Sequence, residues 1–281
     1  MRTGKLLGLD LSNTFGYSNI SGSLPGSLFV LPYYGSGDGI DTVITIAGGG
    51  SELMHLFFID TLGTLVTDVY VTGSGTVTAS VVDPGNTGVV LGVASNTDGK
   101  AISKNLFSVS ARVTMPDYIG TEDAFMFKFL NPETPGGITI LAFDGLTFLE
   151  PFSASIGLVN VYSDSFVAFA SLNGILNDGL NPLSVSGRIF GPQASTNFYL
   201  KPTPSVCQVS GILTSVFPDT TVLQNVLPSA SSINPDGGKG TLWIDCPFAM
   251  VLNKTTKGYT SIVIDGGNRV SGSVTIPVIT P

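Results

Sequence analysis

The hydrophobic and polar positions of this chain alternate with a period of two in many short segments. The clearest stretch is Leu53–Asp83, which holds three runs of Val, Leu, Ile, Phe, Tyr and Thr, separated by Gly-containing breaks at 62–64 and 73–75. In the third run, Val77, Ala79 and Val81 alternate with Thr and Ser. A period of two is typical of a sheet with one buried face. The pattern therefore predicts three strands, the third continuing through Val81.

Turn signals separate similar runs along the rest of the chain. Gly26–Tyr34 is predicted as the first strand, with Pro32 confining it to a sheet edge or a strand end. Asp83-Pro84-Gly85 predicts a turn. Asp-Gly, a strong hairpin signal, recurs six times, and its acidic members are Asp38, Asp98, Asp144, Asp178, Asp236 and Asp265. Helical periodicity is scarce, and short helices are expected only near 219–227 or 100–106.

The strand-like runs form two series offset by roughly 130 residues. Leu28–Leu31 corresponds to Leu158–Val161, and Val43–Ile46 to Val167–Ala170. Regular short strands with Gly and Pro turns favour sandwiches. The pattern predicts an all-β protein of two tandem antiparallel β-sandwich domains, Ig-like or jelly-roll-like, related by internal duplication. The expected divisions are an N-terminal segment at 1–20, one domain at 21–150 and a second at 151–281.

Composition and charge exclude several classes of partner. Only 11% of the 281 residues are charged, the formal net charge is −8, and no Lys or Arg occurs between Leu6 and Gly99. The chain therefore lacks the basic patch that nucleic acid or an anionic membrane surface requires. No run of about 20 apolar residues predicts membrane insertion.

The same composition guides the expected location. A low-charge chain rich in Ser, Thr and Gly favours an extracellular or cell-surface protein. The first residues, MRTGKLLGLDLSN, do not match an export signal. We therefore expect either a cytoplasmic protein or one whose leader precedes this sequence, and composition favours the second.

Candidate reactive groups are few. His55 is the one histidine and lies inside an apolar run, so we expect a strand histidine that is bonded to a neighbour or faces solvent. Asp38 with Asp41, and Glu122 with Asp123, are carboxylate neighbours of the kind that glycosidases use, although the second pair precedes the apolar run Ala124–Phe129 and fits a charged strand entry better. No nucleophile motif, phosphate loop or metal-ligand spacing occurs. The sequence predicts no catalytic residue, no cofactor and no metal, and therefore no enzyme.

Two cysteines, Cys207 and Cys246, both lie in apparent strands. They permit one disulfide, and two buried, inert thiols are the alternative. Their spacing excludes a CxxC redox or zinc motif.

Aromatic side chains provide a candidate platform for sugars, because flat rings stack on pyranose faces. The alternative for each is ordinary core packing. The candidates are Tyr33, Tyr34, Tyr118, Tyr199, Trp243 and Tyr259.

Several short motifs resemble those of certain uncharacterised secreted bacterial β-sandwich proteins. They are Phe217–Thr221, Gly237–Trp243, Gly266–Asn268, Val274–Val278 and the Asp83–Gly88 turn with the apolar strand after it. The resemblance covers most of the chain and implies an exported protein. It implies no activity for any residue. The chain departs from such proteins at its start, where they carry an export signal.

These features favour an extracellular structural protein that self-assembles into a filament, sheath or surface layer, with copies of itself as partners. Val274, Ile276 and Val278 alternate near the C-terminus and form a candidate assembly strand that could complete a neighbour's sheet. Docking of this strand onto the chain's own sheet is the alternative. A carbohydrate-binding or adhesion module with glycans as partners, and a viral jelly-roll coat protein, are the alternative functions.

Overall fold

A computed structural model describes residues 5–6, 9–10, 25–96, 102, 104–127, 140–142, 159–170, 183, 185–191, 194–200, 206–217, 219–227, 240–245, 248–254, 262–265 and 273–275. Strands dominate these residues and pair antiparallel, so the predicted all-β class is confirmed. Two short strands near the start, β1 (Lys5–Leu6) and β2 (Leu9–Asp10), pair with each other.

The first set of elements forms two sheets between residues 28 and 127. Its elements are β3 (Leu28–Gly35), β4 (Asp41–Gly48), β5 (Leu53–Asp60), β6 (Leu65–Thr72), β7 (Gly75–Thr78), the single-turn helix α1 (Ala79–Val82), β8 (Thr87–Ser95), β9 (Phe107–Met115), β10 (Tyr118–Asp123) and β11 (Phe125–Phe127). One sheet has the order β11-β3-β8-β5-β6 and the other has the order β10-β9-β4-β7.

The second set begins after residue 158. Its elements are β13 (Val159–Val161), β14 (Phe166–Ala170), β15 (Val185–Phe190), β16 (Ser195–Leu200), β17 (Gln208–Ile212), α2 (Leu213–Val216), α3 (Thr220–Val226), β18 (Gly240–Asp245), β19 (Phe248–Leu252), β20 (Ile262–Asp265) and β21 (Ser273–Thr275). Its sheets have the orders β13-β18-β15-β16 and β17-β14-β19-β20. Strand β21 pairs with β12 (Ile140–Ala142), which lies between the two sets.

The strand order of the first set recurs in the second. Each strand from β3 to β10 has a counterpart ten strands later, so that β3-β8-β5-β6 repeats as β13-β18-β15-β16 and β10-β9-β4-β7 repeats as β20-β19-β14-β17. A single helical turn follows both β7 and β17. The runs that the sequence analysis aligned fall on these counterparts: β3 with β13, and β4 with β14.

Each set encloses a core shared by its two sheets. In the first set, Met54, Leu56 and Phe58 of β5 meet Ile44 and Ile46 of β4. In the second set, Val167 and Phe169 of β14 pack with Val185 and Ile189 of β15 and with Leu223 of α3. Burial of each large apolar side chain contributes about 1.5–3 kcal/mol relative to exposure. The alternation in the sequence is therefore what holds the sheets together.

A third apolar cluster joins the two sets. Tyr33, Val113, Met115 and Tyr118 of the first set contact Phe166, Ala168, Met250 and Leu252 of the second. Strands β14 and β19 are buried along their whole length, because one face belongs to their own core and the other faces the first set. The Tyr118 hydroxyl also donates to the Asp164 carbonyl at 2.7 Å. The apolar interior is thus continuous between the sets.

The third run of the Leu53–Asp83 stretch differs from the prediction at its end. Strand β7 stops at Thr78, and Ala79–Val82 forms α1 instead of continuing the strand through Val81. The Ser80 N–H donates to Asp41 Oδ1 at 3.1 Å, and the Asp83 N–H donates to the Ala79 carbonyl at 2.8 Å. The helical turn therefore depends on a carboxylate from a distant strand, which local periodicity cannot reveal.

Pro32 lies inside β3 and not at its end, but β11 pairs only with Leu28–Val30, so β8 is the one strand described beside Pro32 and the expected sheet edge is confirmed at this position. Strand β3 lies between β11 and β8. The β3–β8 register shifts between Leu31 and Tyr34, and this bulge accommodates a residue without an N–H donor. The Pro32 carbonyl accepts a hydrogen bond from Gln208 Nε2 at 3.4 Å. This is a further bond between the two sets.

Turn chemistry agrees with the sequence where the structure describes it. Asp38 and Gly39 have φ values of 52° and 80°, and the Ile40 N–H donates to the Gly37 carbonyl at 2.9 Å, as in a type I′ turn. This turn connects β3 to β4, which lie in different sheets, so it does not form the hairpin that Asp-Gly predicts. Gly85, in the predicted Asp-Pro-Gly turn, has φ 84°. Asp265 ends β20. The other Asp-Gly acids, Asp98, Asp144, Asp178 and Asp236, lie outside the described residues.

The two expected short helices have different outcomes. Helix α3 begins after Asp219, whose Oδ1 accepts from the Val222 N–H at 3.0 Å, so the helix expected at 219–227 is confirmed. The described residues of 100–106, which are 102 and 104–106, are not helical.

Candidate assembly surface

His55 is a buried structural residue with one polar partner. It is fully buried, and its Nε2 lies 2.7 Å from Asp68 Oδ2 on the neighbouring strand. Its ring lies 3.9 Å from the rings of both Tyr70 and Phe57. Burial lowers the pKa of His55 below 6.5, against the opposing effect of the hydrogen bond to Asp68. The expectation of a strand histidine bonded to a neighbour is confirmed.

The second ring nitrogen of His55 differs from Nε2 in its surroundings. Nδ1 has no hydrogen-bond partner within the described part of the chain, and the described residues contain no group of three His, Cys, Asp or Glu side chains that could hold a metal ion. With Nε2 donating to Asp68, Nδ1 is an unprotonated nitrogen. Protonation would place a second N–H in an apolar environment, which is unfavourable.

This arrangement predicts a stability that depends on pH. The unfolded chain accepts a proton on His55 near pH 6.5, whereas the folded chain resists it. Stability is therefore complete above pH 6.5 and decreases as the pH falls below that value. We expect His55→Gln to flatten this part of the profile, and Asp68→Asn to steepen it, because Asp68 raises the pKa of His55. Thermal unfolding followed by circular dichroism across this pH range would show both effects. Parallel profiles for the wild type and His55→Gln would contradict the assignment.

Most of the candidate sugar-binding tyrosines are interior residues. Tyr33, Tyr34 and Tyr118 are buried, and burial raises the pKa of Tyr33 and of Tyr118 to about 12. Their proposed role as an exposed platform is wrong, because the rings fill the apolar clusters within and between the sets. Tyr199 is 51% exposed. Trp243 lies in β18, and Tyr259 lies outside the described residues.

Cys207 is a buried free thiol whose Sγ donates to the Asp60 carbonyl at 3.3 Å. Burial, followed by the charge of Asp60, raises its pKa to about 12, so the thiol is unreactive at neutral pH. For the pair with Cys246, the disulfide and the two inert thiols both stay predictions. Cys246 lies outside the described residues.

The candidate assembly strand is described only in part. Val274 lies in β21, directly opposite Leu141 of β12 in the same chain, as in the alternative of docking onto the chain's own structure. Ile276 and Val278 lie outside the described residues. Of the carboxylate neighbours, Asp38 is an exposed turn residue, Asp41 Oδ1 accepts from the Ser80 N–H at 3.1 Å, and Glu122 and Asp123 end β10.

A groove opens where the two sheets of the first set present neighbouring edges. Strand β6 is the last strand of one sheet and β7 the last strand of the other, among the residues that the structure describes. The groove has a volume of 440 Å³ and is closed at one side by α1. Its apolar lining is provided by Val69, Val71, Val77, Val81 and Val82. We call this feature the groove.

The groove reaches the core of the first set. Val69, Val71 and Val82 are partly buried and pack against the core cluster, whereas Val81 is 79% exposed. Leu62 and Val66, near the start of β6, are also exposed. Exposed apolar surface that continues into a core is typical of a binding site.

A network around Asp83 holds α1 in place beside the groove. The Asp83 carboxylate accepts hydrogen bonds from the Tyr34 hydroxyl and from Asn86 Nδ2, and the Asp83 carbonyl accepts from Ser36 Oγ. Asp83 is itself buried. A buried carboxylate needs hydrogen-bond partners, and those of Asp83 tie the residue that follows α1 to Tyr34, Ser36 and Asn86. These bonds therefore hold α1, and Val81 within it, in place.

The second set closes the corresponding region with its own helix. Helix α3 contacts β16 and α2, which are the counterparts of β6 and α1. It places Leu223, Val226 and Leu227 in the second core, with Val209 and Val216 packed against them. The insertion that contains α3 follows α2, where the first set turns directly into β8. The groove is therefore open in the first set and filled in the second.

A second exposed surface lies on the outer face of β15 and β16. Arg188 and Phe190 of β15 and Tyr199 of β16 are exposed and share this face by register. The Arg188 guanidinium lies 5.0 Å from the centre of the Phe190 ring, and its Nη2 donates to Ser195 Oγ at 2.9 Å. We call Arg188, Phe190 and Tyr199 the patch.

Two further observations complete the description. Among the described residues, no helix combines the length and apolar character needed to cross a membrane. Comparisons of the chain with protein-family models, with curated proteins and with solved structures find no match.

Proposed function

We propose that this chain is an extracellular structural protein that self-assembles into a filament, sheath or surface layer. The observation that carries the proposal is the groove, an apolar gap between two edge strands that leads into the core. Edge strands offer backbone groups for pairing with another chain, and the low charge of the sequence limits the desolvation penalty of contact. The proposal includes no catalytic role.

We further propose two tandem β-sandwich domains, within 21–150 and 151–281, that arose by internal duplication. The repeated strand order supports this division, as do the separate core of each set and the matching positions of α1 and α2. The apolar cluster between the sets makes them one block, so an assembly would grow by adding whole chains.

The test is the particle mass of the purified chain at increasing concentration, measured by sedimentation velocity and mass photometry, with electron microscopy of the largest species. We expect species above the 29.1 kDa monomer and regular polymers. Val81→Glu is expected to raise the concentration needed for assembly by about tenfold or more, because a charge would enter an apolar contact. Leu106→Glu is the matched control, since Leu106 is exposed and does not line the groove. A monomer at all concentrations would contradict the proposal.

One observation favours a second candidate function. The patch places exposed Phe190 and Tyr199 beside Arg188 on one sheet face, a composition that also suits carbohydrate binding. A monomeric protein that binds glycans on an array, and loses this binding in Tyr199→Ala, would support an adhesion module instead.

A further inference from the structure

We propose that the patch binds a short acidic oligosaccharide through the carboxylate of one of its sugars. The inference gives the second candidate function a ligand class, and it does not depend on self-assembly of the chain. The guanidinium of Arg188 is the group that binds the carboxylate, and the ring of Tyr199 is the group that stacks on a neighbouring sugar.

The patch lies on the solvent side of its sheet. Val185 and Ile189 of β15 belong to the core of the second set, and side chains alternate between the two faces of a strand. Arg188 therefore points away from that core, in agreement with its exposure. Tyr199 is directly opposite Ser186 in the register, so it shares the face of Arg188. Both side chains are open to a ligand on the same surface.

Two contacts hold the Arg188 side chain in place. Its guanidinium lies 5.0 Å from the centre of the Phe190 ring, and its Nη2 donates to Ser195 Oγ at 2.9 Å. Arg188 has no carboxylate partner among the described residues. A guanidinium carries five N–H donors in a planar fork, which fits a carboxylate through two parallel hydrogen bonds. Because its orientation is already restricted, Arg188 loses less side-chain entropy when a carboxylate binds.

The positions around Arg188 suit a sugar. Asn197 of β16 and Trp243 of β18 are its direct neighbours in the register, and Ser186 and Ser195 lie on the same face. Amide and hydroxyl groups can both donate to and accept from sugar hydroxyls, and aromatic residues add an apolar contact. One arginine in a chain of net charge −8 is too little to hold a polyanion such as nucleic acid. The charge of the patch therefore fits a ligand with a single carboxylate at this point.

The spacing of the patch indicates a ligand of more than one sugar. Ser186, opposite Tyr199, is four positions from Phe190 along β15, which corresponds to about 13 Å. One sugar ring cannot contact both ends, and Arg188 lies between them. An oligosaccharide whose charged sugar binds at Arg188 would place a second ring on Tyr199.

A glycan array tests the ligand class with the full chain. The probes are oligosaccharides that contain uronic or sialic acids, the methyl esters of the same oligosaccharides, and neutral and sulfated oligosaccharides. We expect the chain to bind carboxylated probes, and to bind their methyl esters about tenfold or more weakly, because esterification removes the charge that pairs with Arg188. Binding of the carboxylated probes should also weaken as the salt concentration rises.

Substitutions separate the two contacts in isothermal titration calorimetry with the carboxylated probe that binds best on the array. Arg188→Gln should lower the affinity for this probe by about tenfold or more and leave the affinity for its methyl ester unchanged. Arg188→Lys keeps the charge without the planar fork, so it should restore only part of the loss. Tyr199→Ala should weaken both ligands, because the stacked ring is absent. Arg112→Gln is the matched control, since Arg112 is also exposed on a strand but lies in the first set.

Three results would overturn the inference: no binding to any carboxylated probe, equal binding to the acids and their methyl esters, or an Arg188→Gln variant that binds like the unmodified chain. Mass photometry of the same samples measures self-assembly separately. A chain that assembles and binds no glycan overturns this inference alone, and a monomer that binds carboxylated glycans through Arg188 overturns the proposed assembly alone. Loss of assembly in both Arg188→Gln and Tyr199→Ala, without glycan binding, would assign the patch to a contact between copies instead.

Discussion

Replacing Phe248 with alanine is expected to lower the free energy of unfolding of the whole chain by about 3–5 kcal/mol. Phe248 is fully buried between the two sets, and its ring lies 4.9 Å from that of Phe125 in an edge-to-face arrangement. Truncation leaves a cavity that the surrounding strands cannot close without moving both sets. Urea unfolding followed by circular dichroism and by the fluorescence of the single tryptophan would measure the change.

The same experiment tests whether the sets act as one cooperative unit. Because the cluster between the sets belongs to both, we expect one transition that moves to lower urea and stays coincident for the two probes. Val66→Ala, at an exposed position of β6, is the control and should change stability by about 0.5 kcal/mol or less. A loss below about 1 kcal/mol in Phe248→Ala would show that the two sets do not depend on this contact.

Asp83→Ala is expected to destabilise the chain by about 3 kcal/mol, since hydrogen bonds to a charged group contribute about 1.5–3 kcal/mol each. The substitution removes the acceptor of the Tyr34 hydroxyl and of Asn86 Nδ2. The Tyr34 hydroxyl would remain buried without a partner, which adds a desolvation penalty. Burial, followed by the hydrogen bond to Asp83, raises the pKa of Tyr34, so the hydroxyl cannot relieve this by ionising.

Tyr34→Phe separates the two contributions. It removes the hydroxyl and leaves the carboxylate with Asn86, so we expect a smaller loss of about 1 kcal/mol. In the Tyr34→Phe background, Asp83→Ala should cost less than it does alone, because no hydroxyl is left unpaired. Hydrogen exchange across 79–86 should increase in Asp83→Ala, since the turn after α1 loses its anchor. Additive losses in the double variant would contradict the proposed bond.

Local patterns predicted most of the strands because their causes are local. Alternation in β5 separates Met54 from His55, and an Asp-Gly dipeptide needs no distant contact to favour a type I′ turn. The predicted end of the third strand was wrong because a residue distant in sequence acts there: Asp41 accepts a hydrogen bond from the Ser80 N–H, and β7 ends before it. The roles of Tyr33 and Tyr118 were missed because nothing local shows that a second set of sheets covers the outer face of the first.

The candidate surface was harder to predict than the fold. The sequence predicted an assembly strand that includes Val274. The structure instead shows Val81 at the edge of the groove, which is lined by residues of β6, β7 and α1. Short strands look alike in a sequence whether they lie at an edge or at the centre. The insertion that holds α3 covers the region of the second set that corresponds to the groove, and this consequence follows from the packing of α3 and from no local pattern.

The sequence alone thus determined the all-β class, the strand segments, their turns and the alignment of the two series, because each depends on side chains a few positions apart. The tertiary structure decided which strands lie at edges, how the His55–Asp68 and Tyr34–Asp83 pairs form, and why one core is open while the other is closed. The physical reason is sequence separation: Tyr34 and Asp83 are 49 positions apart. Contacts over such distances follow from strand pairing and packing, and no local pattern contains them.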